Sequence, residues 1–153
     1  MSTCAQCGAR YPEPASSCEE RFRALLALDH SRHEPWGKLH GLAFACFTLQ
    51  HPEGQSREAL ERCWVVLCRI VAAGDDPLHV AVALRRNPPH SPEEWGVPPL
   101  PPVPSPGGAY DVTIADLGDF DATRYTRRVT AWARATWHLW GESNTVERPK
   151  DGR

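Results

Sequence analysis

The sequence has no long apolar run. No stretch of its 153 residues approaches the roughly 18 apolar residues that a membrane-spanning helix needs. The start carries neither the basic segment nor the apolar segment of a secretory signal, so no export is expected. Positive charge is not in excess either: 17 Lys and Arg face 19 Asp and Glu, a formal net charge of −2. Binding to nucleic acid or an anionic membrane through charge calls for a strongly basic balance, so neither is expected as a partner. A protein partner or a small molecule is left, of a kind the sequence does not name. The expected compartment is the cytoplasm, where thiols stay reduced. The six cysteines therefore point to metal or to chemistry, not to disulfides.

Three of the six stand in the opening segment, MSTCAQCGARYPEPASSC, as C-x2-C-x10-C. That segment has almost nothing apolar to bury. A thioredoxin-like CxxC follows a strand and opens a helix, and nothing apolar precedes Cys4. Zinc fits better, because it takes thiolate and imidazole ligands in a tetrahedron. Cys-x2-Cys followed by Gly8 makes a tight knuckle whose backbone amides can point at sulfur. The plain alternative is a set of free surface thiols.

The rest of the chain reads as helices. Ser17 followed by Glu20 is a capping-box pattern for a first helix reaching about His30, with Phe22, Leu25 and Leu26 on one face. A second helix is predicted from about Lys38 to Gln50, apolar on two sides and so central. His51-Pro52 ends it. Ser56 starts a third helix, which is expected to reach Ala73. Asp75 or Asp76 caps a fourth that has Pro77 at its first position and fades at Asn87. Residues 88–108 hold nine prolines and read as an extended strap. Tyr110, Val112 and Ile114 alternate with polar residues, which suits one short strand. A last helix is predicted over Ala122–Trp140. The expected organisation is one helical domain over 1–141, with a Cys-rich arm at 1–17 and a polar tail at 142–153.

A short loop between the first two helices makes them an antiparallel hairpin. Pairing His30 with Gly37 sets Cys18 beside Gln50–His51. His51 is then a sensible fourth ligand, completing a metal site of Cys4, Cys7, Cys18 and His51 with zinc as the cofactor. The alternative for His51 is an ordinary imidazole at a helix end, favoured by the macrodipole.

His40 lies eleven residues before His51, about 16 Å away on a continuous helix, so one ion cannot hold both. Asp29 and His30 close the neighbouring helix end. Antiparallel stacking of the third helix is expected to bring Cys68 near His40, with Cys63 a turn and a half along. His40, Cys63, Cys68 and Asp29 are thus candidates for a second metal site or a Cys/His nucleophilic pair. The plain alternative is a packed core, since cysteine is a common core residue.

Two further patterns carry less. Trp132, Trp137 and Trp140 interleave with Arg127, Arg128 and Arg134, as base-stacking surfaces do. Yet Tyr125, Val129, Trp132 and Thr136 keep helical spacing and suit burial. WGVPPLPPVPSP has the PxxP spacing of adaptor ligands, but a strap wrapped around the bundle is the preferred reading.

CxxCG, C-x3-F-x3-LAL, H-x8-LQHP and a late WA-x3-W occur in that order over nearly the whole chain. Here they are Cys4, Cys7 and Gly8; Cys18, Phe22 and Leu26–Leu28; His40 with Leu49–Pro52; and Trp132, Ala133 and Trp137. In this the chain resembles an uncharacterised bacterial family of unknown function. The resemblance implies a small, mostly helical cytosolic protein and supplies no activity. It also implies Glu at the place of Asp29 and His at the place of Cys63, so this chain departs from the pattern around His40. The expectation is a bundle of four or five helices with a zinc-knuckle arm and a proline-rich strap. Its role is expected to be that of a binding or accessory module with structural zinc. The alternative is a small metal-dependent or Cys/His enzyme built around His40, Cys63 and Cys68.

Overall fold

A computed structural model describes residues 2–12, 16–31, 33–106 and 110–147, with side chains up to residue 142. Among them are five α-helices and one two-stranded sheet, so the fold is mostly α. The strands were not expected. β1 (Ser2–Thr3) pairs antiparallel with β2 (Arg10–Tyr11), Ser2 opposite Tyr11. Two-residue strands are too short to leave an alternating pattern in the sequence. Between them Cys4 N–H donates to the Ala9 carbonyl at 2.8 Å and Gly8 N–H to the Cys4 carbonyl at 3.0 Å. Gly8 sits at φ 86°, a left-handed conformation that strains any residue with a side chain.

The helices begin where their caps predict. α1 (Cys18–His30) starts after Ser17, whose hydroxyl accepts from Glu20 N–H at 3.2 Å. α2 (His40–Gln50) follows a 3-10 turn at Gly37–Leu39. α3 (Arg57–Leu67) is capped by Ser56, and α4 (Pro77–Arg86) by Asp76 with Pro77 at its first position. α3 does not run on as a plain α-helix to Ala73. Residues Cys68–Ala72 form a π turn, which carries an extra residue and rotates the side chains that follow.

α2 is central, as its two apolar sides predict. It packs on α3 and α5 and more lightly on α1 and α4. α5 (Ala122–Glu147) runs past the expected end at Trp140, because Gly141 is tolerated and no proline follows in the helix. Residues 142–147 of the expected tail are therefore helical, and 148–153 lie outside the described residues. Tyr125, Val129, Trp132, Thr136 and Trp140 are buried, while Arg127 and Arg134 are exposed. Arg128 donates to the Leu117 carbonyl at 3.0 Å. Buried tryptophans and exposed arginines thus occupy different faces of α5.

The proline-rich strap lies along α3. Trp64 Nε1–H donates to the Pro98 carbonyl at 3.0 Å, and Val97 and Leu100 are buried. A short 3-10 turn at Pro92–Trp95 interrupts its extended course, and residues 107 and 108 at its end lie outside the described residues. The strand suggested over 110–114 is absent among the described residues. Val112 gives its carbonyl to Gln50 Nε2–H at 2.9 Å instead of to a neighbouring strand. Thr113 then caps a 3-10 turn at Ile114–Leu117. Trp140 Nε1–H donates to the Leu49 carbonyl at 3.1 Å. Gln50 also donates to Thr136 Oγ1 at 3.0 Å. These bonds fix the C-terminal end of α2 against α5. No helix is long and apolar enough to cross a membrane among the described residues.

Candidate metal centre

That fixed end of α2 carries His51. The hairpin of α1 and α2 brings it to Cys18, the first residue of α1, and the β1–β2 turn lays Cys4 and Cys7 over both. The four ligand atoms all lie within 4.8 Å of one another. Cys7 Sγ and Cys18 Sγ are 3.6 Å apart. Two sulfurs at about 2.3 Å from one tetrahedral ion stand about 3.8 Å apart, so the spacing suits a shared cation. Cys7, Cys18 and His51 are buried and Cys4 is partly exposed. An open cavity of about 560 Å³, lined in part by Cys4, Cys18, His51 and Glu53, adjoins the cluster.

The imidazole is set for ligation. His51 Nδ1 lies 2.8 Å from the Phe47 carbonyl, which can only accept, so the proton sits on Nδ1. The lone pair is left on Nε2, which is buried and has no hydrogen-bond partner among the described residues. A buried acceptor with nothing to accept from is costly unless something else fills the role. A metal-bound histidine ordinarily gives its other N–H to such a carbonyl. The ring is also held by stacking on Phe47 at 4.2 Å, and Phe47 stacks on Phe22 at 4.0 Å. The column continues through Phe44, 6.2 Å from both Phe22 and His40.

The sulfurs are prepared as well. The knuckle amide of Ala9 donates to Cys7 Sγ at 3.4 Å, as the glycine-terminated CxxC predicts. Tyr11 Oη–H donates to Cys18 Sγ at 3.0 Å. The hydrogen bond with Cys7 pulls the Cys18 thiol well below its ordinary range against the opposing effect of burial, and the Tyr11 hydroxyl adds to it. The same bond, with burial, pushes Cys7 up. The lowering favours thiolate at Cys18, and thiolate is the ligating form. Tyr11 and Phe47 were not legible as parts of this site. A tyrosine seven residues before Cys18 reaches its sulfur only because β2 turns the chain back.

The second group of expected residues comes together only in part. Asp29 and His40 do meet, with His40 Nδ1 at 2.8 Å from Asp29 Oδ2. Cys63 and Cys68 do not join them. Cys63 faces Thr48, and Cys68, in the π turn, faces Trp137 of α5. Burial pushes the Cys63 thiol up to about 11 and the Cys68 thiol up to about 12, so both are held as thiols. Helix rotation, which short loops do not determine, is the reason. Among the described residues the cluster at Cys4, Cys7, Cys18 and His51 is the single group of three or more such ligands close enough to share an ion.

Neither the curated proteins nor the solved structures contain a match to this chain. A family model does match, over residues 2–141, nearly the full length. The protein belongs to that family, DUF5946, a family of unknown function.

Proposed function

We propose that the protein is a zinc-binding module of the cytoplasm whose zinc is structural. Cys4, Cys7, Cys18 and His51 supply four ligands, which closes a tetrahedral site and leaves no open position for a substrate. The ion ties a short arm to the start of α1 and the end of α2, and the folded surface then serves a partner. The observation that carries this reading is the buried, unpartnered Nε2 of His51 among three sulfurs. Zinc is favoured over harder ions by the thiolate-rich donor set.

The test is cobalt substitution with metal analysis. Wild-type protein should hold one metal per chain at this site. Its Co²⁺ form should show the intense visible bands of a tetrahedral ion and sulfur-to-cobalt charge transfer. His51→Ala and Cys18→Ser should each weaken both signals. A cobalt spectrum of octahedral type, or one that His51→Ala leaves unchanged, would refute the assignment.

A further inference from the structure

We propose a second metal site, for a divalent transition-metal ion, formed by His40 at the start of α2 and His30 at the end of α1, with Asp29 holding His40 from behind. It lies at the opposite end of α2 from His51 and does not depend on the centre there.

Three observations meet at this place. His40 turns Nδ1 onto a carboxylate whose side chain is 1% exposed, while His40 itself is 43% exposed. In the neutral ring the proton is thereby held on Nδ1 and the lone pair falls on Nε2, the arrangement in which carboxylate–histidine pairs bind metal. Asp29 has a second oxygen, Oδ1, that is buried and without a partner among the described residues, where His40 is the carboxylate's one hydrogen-bond partner. A buried acid kept for one surface imidazole is a costly feature unless that imidazole has a task.

The third observation is the neighbouring ring. The His30 and His40 centroids are 6.1 Å apart, with the rings tilted by 53°. Metal–nitrogen bonds of about 2.0–2.1 Å put the centroids of two imidazoles on one ion roughly 5–6 Å apart. A small rotation of the exposed His30 closes the difference. Among the described residues Arg85 also faces His40, and its charge opposes that of Asp29. Two protein nitrogens leave the remaining positions of the ion to water, so this site is open where the cysteine-rich one is closed. Imidazole pairs suit zinc, nickel or copper rather than calcium or magnesium.

The experiment uses untagged full-length protein and Ni²⁺, whose paramagnetism broadens the ring signals of the histidines it binds. Substoichiometric Ni²⁺ should erase the His30 and His40 ring resonances together, before those of His33, His79, His90 and His138. His40→Ala should weaken the broadening of His30 at least tenfold, and His30→Ala, at an exposed ring with no buried partner to strand, should weaken that of His40 likewise. Asp29→Asn should weaken nickel about 10- to 100-fold. The nickel affinity of Asp29→Asn should fall while its melting temperature without metal changes little, a split that a merely structural carboxylate would not give. Broadening of His30 and His40 no earlier than the other four histidines overturns the proposal, and so does a His30 response that His40→Ala leaves unchanged.

Discussion

Stripping metal from the cysteine-rich centre should release the arm while the bundle stays folded. The arm spans residues 2–12, and ordering eleven residues costs on the order of 10–20 kcal/mol of backbone entropy. Its own burial offsets little of this. Ala9 and Tyr11 are its chief buried apolar groups besides Cys7, together a few kcal/mol. The Cys4–Ala9 and Gly8–Cys4 backbone bonds, and the bond from Glu53 N–H to Gln6 Oε1 at 2.9 Å, add about 1 kcal/mol each. The shortfall is of the size that zinc coordination supplies, about 10–16 kcal/mol in small structural sites. Hydrogen exchange read by mass spectrometry, with and without a strong chelator, measures it directly. Peptides covering residues 2–12 should lose all protection on chelation, and those from α2, α3 and α5 should keep theirs. At free zinc a thousandfold above Kd, stabilisation of about 4 kcal/mol should raise the melting temperature by about 8–16 °C. Persistent protection of the Cys4 and Gly8 amides in metal-free protein would show that contacts other than the ion hold the arm.

Other outcomes can be checked alongside. Tyr11→Phe removes the hydroxyl that donates to Cys18 Sγ and should weaken zinc about tenfold in a competition assay, with the helical content unchanged. Trp140→Phe removes the indole N–H that the Leu49 carbonyl and Tyr110 Oη share, leaves Leu49 only the long bond from Tyr110 Oη–H, and should cost about 1–3 kcal/mol in urea unfolding. Asp29 raises the pKa of His40, with burial and Arg85 acting against it. The protonated form is thus favoured in the folded chain, and the stability it adds is complete below the ordinary value of 6.5 and lost as pH rises through the raised one. With no metal added, an NMR titration should place His40 above 6.5 in wild type and lower in Asp29→Asn. An unchanged midpoint in the variant would remove Asp29 as the cause.

Much of the fold is legible because helix boundaries are local. Ser17, Ser56 and Asp76 each cap a helix from within three residues, and a cap needs no knowledge of the rest of the chain. The meeting of Cys18 with His51 is legible for a different reason. A short loop forces antiparallel pairing, and helix rise then converts sequence distance into position. Rotation about a helix axis has no comparable local signal. Cys63 and Cys68 were expected near His40, and a modest roll, with a π turn that nothing in RIVAAG announces, sends them to Thr48 and Trp137. The alternation at 110–114 misled because burial of Ile114 and a bond to Gln50 satisfy the same residues without a sheet.

Phe47 touches two rings at once, one on either side. Protein engineers usually tune one end of a helix and leave the other alone. Along the seam between α1 and α2 that freedom is small: shaving Phe47 to an aliphatic residue loosens the clamp on His51 and the seat of Phe22 in a single stroke, and the disturbance runs toward Phe44 and His40. Randomised libraries at this seam should therefore treat Phe22, Phe44 and Phe47 as one unit to be varied jointly.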